Sequence, residues 1–195
     1  MPNTMKLILL FLMALPGAAE LVSFGVRGGL PLSEAFKFQR PYNARTKLYI
    51  VGPTFELHLP LRTSIAFDAL YRRLDYDFTT PTAVAASTAN AWEFPVLFKY
   101  RLRTGLSRPY VGAGPSYNRI TGATRLLSGI ARRNPPELSR RTTGGLAMAG
   151  GLEIRALFLR VSPEIRYTRR FAENFAAEQL RTNRNQLNLL LGITF

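Results

Sequence analysis

The segment NQLNLLLGITF, residues 185–195, carries an apolar side chain at every second position and ends on an aromatic residue. Terminal residues of soluble domains are mostly poorly ordered, because they have little to pack against. A period of two is typical of a β-strand, whose successive side chains point to opposite faces. The segment therefore predicts a terminal strand. Its apolar face consists of Leu187, Leu189, Leu191, Ile193 and Phe195.

The same alternation recurs along the chain, whereas strong helical periodicity is scarce. We identify eight alternating segments, near residues 21–30, 46–60, 62–77, 91–103, 109–122, 144–155, 157–169 and 185–195. Short connections fall at 60–62, 104–108 and 155–157, and long polar ones at 31–45, 78–90, 123–143 and 170–184. Because short and long connections alternate, we predict an all-β fold: an eight-stranded antiparallel up-and-down transmembrane β-barrel with every long loop at one end.

The kind of barrel depends on which face of the sheet is apolar. A soluble, lipocalin-like barrel encloses its apolar side chains around a ligand, whereas a membrane barrel turns them towards lipid and has a polar interior. Here the polar faces carry both signs of charge on nearly every strand, as a lumen filled with paired charges requires. The predicted lumen charge network comprises Glu56, Asp68, Arg72, Glu93, Lys99, Arg101, Glu153, Arg155, Glu164 and Arg166.

Aromatic and proline residues refine this prediction. Several aromatic residues fall near strand ends, as in the interfacial girdles of membrane barrels. They are Tyr49, Tyr71, Trp92, Tyr100, Tyr110, Tyr117 and Tyr167. Four prolines, Pro53, Pro95, Pro115 and Pro163, fall inside predicted strands, where proline cannot donate a ladder hydrogen bond. Pro53 and Pro115 each follow a glycine, so we expect bulges or bends there rather than broken strands.

Residues 1–19 have the pattern of a secretory signal peptide. MPNTMK supplies the positive region, LILLFLMAL the apolar run and PGAA the small residues before cleavage after Ala19. The apolar run is about half the roughly 20 residues that a spanning helix needs, which argues against a permanent anchor. A buried N-terminal helix is the alternative. The barrel domain is expected to comprise residues 20–195.

Charge and cysteine content narrow the function classes. The chain has a net charge of +14 and a sequence pI of about 11, which would ordinarily suggest a nucleic-acid partner. The export signal argues against nucleic acid and favours an anionic membrane surface. The sequence contains no cysteine, which excludes disulfides, thiolate metal sites, a cysteine nucleophile and a lipoprotein anchor.

Several segments resemble the small outer-membrane β-barrel proteins of Gram-negative bacteria, in particular the outer membrane protein β-barrel domain family with PorT-like or OmpA-like barrels. The likeness lies in the ordered series FGVRGGLPLS (24–33), VGPTFELHLP (51–60), SIAFDALYRRLDY (64–76), EFPVLFKYRL (93–102), PYVGAGPSYN (109–118) and the terminal strand. It covers residues 20–195. The resemblance implies an eight-stranded barrel in the bacterial outer membrane, surrounded by outer-membrane lipid.

The resemblance also implies a role for the end of the chain. In such proteins, a terminal aromatic residue with alternating apolar residues is the signal that the barrel assembly machinery reads. The residues that correspond to this signal are Leu189, Leu191, Ile193 and Phe195. Members of the family differ in function, so the fold alone does not assign one.

The sequence offers little support for catalysis. His58 is the only histidine. Lipid A-modifying enzymes of the outer membrane use a histidine with serine or acidic partners, but strand parity points His58 into the lumen near the turn at 60–62. Those enzymes act in the outer leaflet, at the opposite end of the barrel, so we expect a structural histidine and no catalytic residues. We expect no metal site, because the sequence has one histidine and no oxygen-rich calcium loop. We also expect no nucleotide cofactor, because neither GAGPSY (112–117) nor GVRGG (25–29) opens a helix as a nucleotide loop does.

The long loops carry most of the remaining information. Residues 123–143 contain five arginines and one glutamate, whereas residues 79–91 are uncharged. Arginine binds phosphate in a bidentate manner, so basic outward loops suit lipopolysaccharide phosphates. The predicted lipopolysaccharide contacts are Arg125, Arg132, Arg133, Arg140 and Arg141. We therefore interpret the protein as a non-enzymatic outer-membrane barrel with a structural or surface-interaction role. The alternatives are a lipid A-modifying enzyme and a soluble ligand-binding barrel.

Overall fold

The computed structural model describes residues 21–38, 42–44, 47–79, 84–102, 105–127, 130–133, 139–156, 159–177 and 180–195. Most of these residues lie in strands, and within the described ranges no helix is both long and apolar enough to cross a membrane. The predicted signal peptide lies outside the described residues. The strands are β1 (Val22–Pro31), β2 (Phe36–Phe38), β3 (Tyr42–Ala44), β4 (Ile50–Leu59), β5 (Thr63–Asp68), β6 (Leu70–Thr79), β7 (Val84–Arg101), β8 (Ser107–Leu127), β9 (Ile130–Arg133), β10 (Thr142–Ala156), β11 (Leu159–Arg170), β12 (Ala176–Ala177), β13 (Leu180–Thr182) and β14 (Asn185–Thr194).

The long strands close into a barrel. With β5 and β6 counted as one strand interrupted at Ala69, the order around the wall is β1, β4, β5–β6, β7, β8, β10, β11 and β14. β14 then pairs antiparallel with β1, from Gly25 opposite Thr194 to Pro31 opposite Asn188, so the sheet closes on itself. The prediction of an eight-stranded antiparallel barrel is confirmed.

The strand boundaries differ from the predicted ones mainly at the long-loop end. The uncharged segment expected to be a loop after residue 78 instead continues the β6–β7 hairpin, which pairs as far as Thr79 opposite Val84. β8 likewise extends to Leu127 and pairs with β9. The β7 extension consists mainly of small and polar residues, and neither extension gives a regular alternation in the sequence. Both form because a neighbouring ladder continues past the alternating apolar part of the strand.

The side-chain arrangement is inverted relative to that of a soluble protein. In β14, Leu189 and Leu191 are 42% and 47% exposed, whereas Gln186 and Asn188 are each 1% exposed. An apolar band of this extent is unfavourable in water and is expected where the wall meets hydrocarbon. All eight barrel strands contribute large exposed apolar side chains, which include Phe24, Val26, Val51, Phe55, Phe67, Phe94, Phe98, Val111, Met148, Ile165 and Leu191.

Pairing is interrupted beside the strand prolines, as expected. Ala69, where β5 and β6 separate, donates its N–H to the Pro53 carbonyl at 3.0 Å, and Pro53 has no N–H to return. The β10–β11 ladder lacks pairs between Gly151–Glu164 and Ile154–Val161, a gap that contains Pro163. The register is the same on both sides of these gaps. At Pro53, where we expected a bulge or a bend, the interruption is therefore a missing pair without a register shift. A register shift occurs elsewhere, between Thr88 and Asn90 of β7.

Above the membrane wall, a small second sheet joins two long connections. β2 follows the first barrel strand and β13 precedes the last, and they pair antiparallel, with β12 on the other side of β13. We call this three-stranded unit the cap sheet. It lies at the long-loop end, which in barrels of this type faces the cell exterior.

Closure of the barrel depends on two glycines in β1. A Cβ built on Gly25 would lie 1.9 Å from the Ile193 carbonyl oxygen, and one on Gly29 would lie 2.0 Å from that of Leu189. With glycine at these two positions, the β1 backbone can lie closer to the β14 backbone than it could if either residue carried a Cβ atom. Gly28, between them, has 3.7 Å to its nearest neighbour and provides a matched comparison.

We predict that Gly29→Ala weakens or prevents the β1–β14 pairing, because the added methyl group meets backbone rather than a movable side chain. The expected cost is about 3 kcal/mol, at the upper end for overpacking. Heat-modifiable gel mobility and urea unfolding in lipid vesicles would measure it. Gly28→Ala is the control and should leave both unchanged, and equal behaviour of the two variants would contradict the close approach.

Candidate functional site

The centre of the lumen contains a fully buried charge cluster. Arg27 Nη1 lies 2.7 Å from Glu164 Oε2, and Arg166 Nη2 lies 2.7 Å from Asp68 Oδ2. Arg166 Nη2 also contacts Glu164 Oε1 at 2.5 Å, and Tyr110 donates its hydroxyl to Glu164 Oε2 at 2.7 Å. Since the two carboxylates and two guanidinium groups neutralise one another, burial away from bulk water is tolerated.

The cluster bridges the barrel from side to side. Asp68 ends β5 and Arg166 lies on β11, and these strands are on opposite sides of the ring. Tyr110 lies on β8, opposite the β1 strand that carries Arg27. The 2.7 Å contact between Arg166 and Asp68 joins opposite walls, and Tyr110 reaches Glu164 across β10, so side chains fill the lumen at this level. The arrangement is a plug rather than an aqueous passage.

A second cluster lies towards the short-turn end. Glu56 Oε1 accepts from Arg101 Nη2 at 2.6 Å, and Lys99 Nζ lies 3.1 Å from Glu56 Oε2. Arg101 also donates to Glu153 through Nη2 at 2.8 Å and through Nε at 3.0 Å. Lys99 lies 4.0 Å from Glu164 of the central cluster, so the two groups are continuous. Arg101 thus forms ion pairs with two carboxylates that belong to different strands, Glu56 on β4 and Glu153 on β10.

His58 lies at the edge of this second cluster, in the lumen next to the turn at 60–62. Its Nδ1 is 3.2 Å from Arg101 Nη2, and its Nε2 is 3.2 Å from Ser23 Oγ and contacts Arg160 Nη1. Two guanidinium groups therefore contact the imidazole. His58 lies at the opposite end of the barrel from the long loops.

The upper lumen, towards the long loops, is organised differently. Arg72 and Arg170 both donate to Gln186 Oε1, at 2.7 and 3.1 Å, and Arg170 also donates to Asn174 Oδ1 at 3.1 Å. Glu93 accepts hydrogen bonds from two hydroxyl groups, at 2.9 and 3.0 Å. Within the described part of the chain, neither arginine forms an ion pair. Neutral amides hold these two cations in place.

Nine of the ten predicted lumen residues have buried side chains in the lumen. Arg155 is the exception, since its side chain is 38% exposed and lies 3.7 Å from Glu153. Arg27 and Tyr110, which were not predicted, also lie in the lumen. Sequence reasoning missed Arg27, whose strand position has the same parity as Gly25 and Gly29 and could have assigned it to the lumen. Tyr110 is 3% exposed and does not belong to the predicted girdle. Tyr110 lies an even number of residues from Ser116 and Asn118 in the same strand, and this spacing, rather than its aromatic character, indicates a lumen position.

Other aromatic residues of the predicted girdle do lie together on the outside. Ring centroids of Tyr49 and Tyr71 are 6.4 Å apart, those of Tyr71 and Trp92 are 5.2 Å apart, and Phe94 lies 6.2 Å from Trp92. Tyr117 continues the row at 6.4 Å from Phe94. The row crosses neighbouring strands of one wall of the barrel.

The proposed lipopolysaccharide contacts occupy two places in the loops. The ladder between β8 and β9 sets Arg125 opposite Arg132, with Arg133 beside them, and the side chains of these three lie outside the described part. Arg140 is exposed and donates its backbone N–H to the Asn174 carbonyl at 3.0 Å. The Arg141 carbonyl accepts from Ile120. Their role towards lipopolysaccharide stays a prediction.

The last long connection carries an ordered ion pair outside the membrane segment. Arg181 donates to both carboxylate oxygens of Glu173 at 2.9 Å, and this bidentate hydrogen bond raises the pKa of Arg181. Arg184 Nε lies 3.3 Å from Glu173 Oε1. Among the described residues there is no group of three or more histidine and carboxylate side chains that could hold a metal ion.

The end of the chain lies in the wall as a strand. Phe195 donates its N–H to the Phe24 carbonyl at 3.0 Å, and the two rings lie 6.2 Å apart. Leu189, Leu191, Ile193 and Phe195 are all exposed on the outer face. Recognition of these residues by the barrel assembly machinery remains a prediction.

Comparison with known proteins shows the fold. No family model and no curated protein sequence matches the chain. Among solved structures, the chain is similar to the outer membrane protein OprG from Pseudomonas aeruginosa, with 14% identity, a TM-score of 0.57 and coverage of 90% of this chain and 94% of that chain. It is also similar to E. coli outer membrane protein W, with 14% identity, a TM-score of 0.50 and coverage of 90% and 96%.

The side-chain geometry of the lumen and outer face is consistent with the fold that these comparisons show. A closed barrel with an apolar outer band and a charge-filled lumen is the architecture of small outer-membrane proteins. The chain has this architecture: a closed β-barrel with a charge-paired lumen and an apolar outer face.

We predict that Asp68→Asn destabilises the barrel, because Arg27 and Arg166 would lose a shared carboxylate inside the lumen. Breaking a buried pair by removing one partner costs about 3–5 kcal/mol. Urea unfolding in lipid vesicles, followed by the fluorescence of the single tryptophan, Trp92, would report the loss.

The control is Asp75→Asn, which removes an exposed rim pair with Arg73 whose side chains are 43% and 19% exposed. Such a pair contributes at most about 1 kcal/mol. Equal shifts of the unfolding midpoint in the two variants would show that the central cluster does not hold the lumen together.

Proposed function

We propose that the protein is a non-enzymatic barrel whose lumen is structural and whose function is the binding of anionic groups at the cell surface through its basic loops. The observation that carries this proposal is the bridge between Arg166 and Asp68, which joins opposite walls at 2.7 Å. A lumen bridged in this way offers no path for a solute. The chemistry available to outside partners therefore lies in the long connections.

The charge distribution supports this function. Charges in the centre of the lumen and at its short-turn end pair with one another, whereas the long loops carry an excess of arginine over acidic residues. Arginine is weakly hydrated and presents a planar fork of donors that matches phosphate. The outer leaflet of a Gram-negative outer membrane is rich in lipopolysaccharide phosphates, so this surface and its surroundings are complementary in charge.

The two alternatives fit less well. A soluble ligand-binding barrel would enclose its apolar side chains, yet Phe24, Phe98 and Ile165 are each more than half exposed. A lipid A-modifying enzyme needs a catalytic group in the outer leaflet. The only histidine, His58, lies at the short-turn end, in contact with Arg101 and Arg160.

We predict that the purified protein, reconstituted in planar lipid bilayers, gives no stepwise conductance, because side chains fill the lumen. A single-channel recording of a known porin under the same conditions is the positive control. Regular conductance steps from the folded, heat-modifiable form would contradict a purely structural lumen.

We also predict that glutamine substitutions at Arg125, Arg132, Arg133, Arg140 and Arg141 weaken binding to lipopolysaccharide-containing vesicles without altering folding. Electrostatic binding should also fall when ionic strength rises from 0.1 to 1 M, since the Debye length shrinks from about 10 to about 3 Å. Arg62→Gln, at a short turn on the opposite end, is the control. Unchanged lipopolysaccharide affinity in the five-fold variant would contradict a role for these five residues.

A further inference from the structure

Two adjacent clefts lie beside the last long connection, between β11 and β14. One has a volume of about 370 Å³ and the other about 230 Å³, and both are lined by Glu173, Arg181 and Arg184. Arg140 and Phe171 complete the larger one. We call these five residues the loop cradle. Its combined size is in the range of small-ligand sites.

The backbone of the loop cradle is anchored by buried residues. Asn174 and Phe175 are 0% exposed and Thr182 is 4% exposed, although all three belong to a surface connection. The Asn174 carbonyl accepts from the N–H groups of Ser139 and Arg140 at 2.8 and 3.0 Å. Thr182 Oγ1 accepts from the N–H groups of Asn174 and Phe175 at 3.1 and 2.9 Å. The segment is thus ordered before any ligand arrives, which lowers the entropy cost of binding.

The cap sheet provides a second anchor. β13 carries Arg181 and pairs with β2, where the register sets Lys37 opposite Arg181. The N–H of Asn183 donates to the Ala35 carbonyl at 2.9 Å. The loop cradle is therefore fixed to three separate connections of the chain, unlike a free surface loop.

The charges of the loop cradle favour an anion. Three arginines line the larger cleft with a single carboxylate, Glu173, whose side chain is 11% exposed and which contacts Arg181 and Arg184. Glu173 binds Nε and Nη2 of Arg181 and Nε of Arg184, which leaves Nη1 of Arg181 and both Nη atoms of Arg184 to donate to a ligand. Glu173 fixes the two planar guanidinium groups next to each other. A phosphate or sulfate ester has three free acceptor oxygens and can accept from both guanidinium groups at once, whereas a carboxylate has only two.

We propose that the loop cradle binds a phosphate or sulfate ester carried on a sugar. Arg140, Arg181 and Arg184 would bind the anion, and the ring of Phe171, which is 69% exposed, would cover the apolar face of the sugar. The assigned source is the phosphorylated core of lipopolysaccharide, because this surface lies at the outer leaflet. This inference rests on the proposed surface-binding function and adds a defined site with residues outside the predicted lipopolysaccharide contacts, Arg140 excepted.

The test is a titration of the folded full-length protein in detergent micelles with phosphorylated lipopolysaccharide and with its dephosphorylated form. The variant R181K/R184K keeps both positive charges but removes the two planar guanidinium groups that can donate in a bidentate manner. We expect its affinity for the phosphorylated form to fall about tenfold, the size of one lost hydrogen bond to a charged group. The dephosphorylated form should bind wild type and variant equally weakly.

The matched control is R62K/R73K, two exposed arginines at sites outside the loop cradle, which should bind like wild type. Heat-modifiable mobility verifies that each variant is folded. If R181K/R184K binds both phosphorylated lipopolysaccharide and heparin like wild type, the loop cradle is only a cationic surface and the proposal is overturned. F171A should weaken lipopolysaccharide binding but leave the affinity for inorganic pyrophosphate unchanged, and an equal loss for both would overturn the assignment of Phe171 to the sugar.

Heparin, a sulfated glycan, distinguishes the source of the ester. A loss of heparin binding in R181K/R184K with unchanged lipopolysaccharide binding would overturn the lipopolysaccharide assignment and identify an external glycan instead. Failure of this inference is separable from failure of the proposed function. Lipopolysaccharide binding that R181K/R184K retains but the five-fold glutamine variant of the Arg125–Arg141 region loses would overturn the loop cradle alone.

Discussion

A strand that crosses hydrocarbon must have a hydrogen-bonding partner on both edges, because no water is present to satisfy its backbone. The pairing of β1 with β14 meets this requirement for the whole sheet. Two glycines in β1 allow the approach, and the alternating apolar residues of the last strand face the lipid once the sheet is closed. Every other feature of the molecule, from the polar lumen to the ordered loops, depends on this closure.

Closure in turn determines what the interior must contain. An eight-stranded barrel leaves a lumen only wide enough for side chains, and those side chains have to be polar because the apolar ones already face outwards. The central cluster takes its members from strands on opposite walls, so its ion pairs form only when the ring has its native shape. Buried ion pairs are weak evidence for net stability. We infer that their main contribution here is to specify how the strands are staggered.

The sequence predicts the architecture well because one physical pattern, alternation with a period of two, is repeated on every strand. It also locates most of the lumen, since parity assigns Asp68, Glu164 and Arg166 to the polar face. It fails for Tyr110, where residue type was given more weight than parity, and for Arg27, which lies among glycines. It also places the start of β7 too late, because small uncharged residues extend a ladder without contributing a hydrophobic signal.

The loop cradle was not predictable from the sequence, because its parts come from separate connections. The buried residues Asn174 and Phe175 lie in a stretch that reads as a polar loop, and only the fold shows that they anchor it. In the sequence Glu173 is one of two acidic residues in a basic connection, and nothing distinguishes it from Glu178. In the structure it fixes two guanidinium groups side by side.

The cap sheet has a consequence for how the chain reaches its native state. β2 follows β1 directly and β13 precedes β14, so the first and last parts of the chain meet twice, once in the wall and once above it. A displacement of the closing strands along each other would move the two halves of the cap sheet out of alignment. Formation of the cap sheet therefore requires the same alignment of the first and last parts of the chain as closure of the wall does.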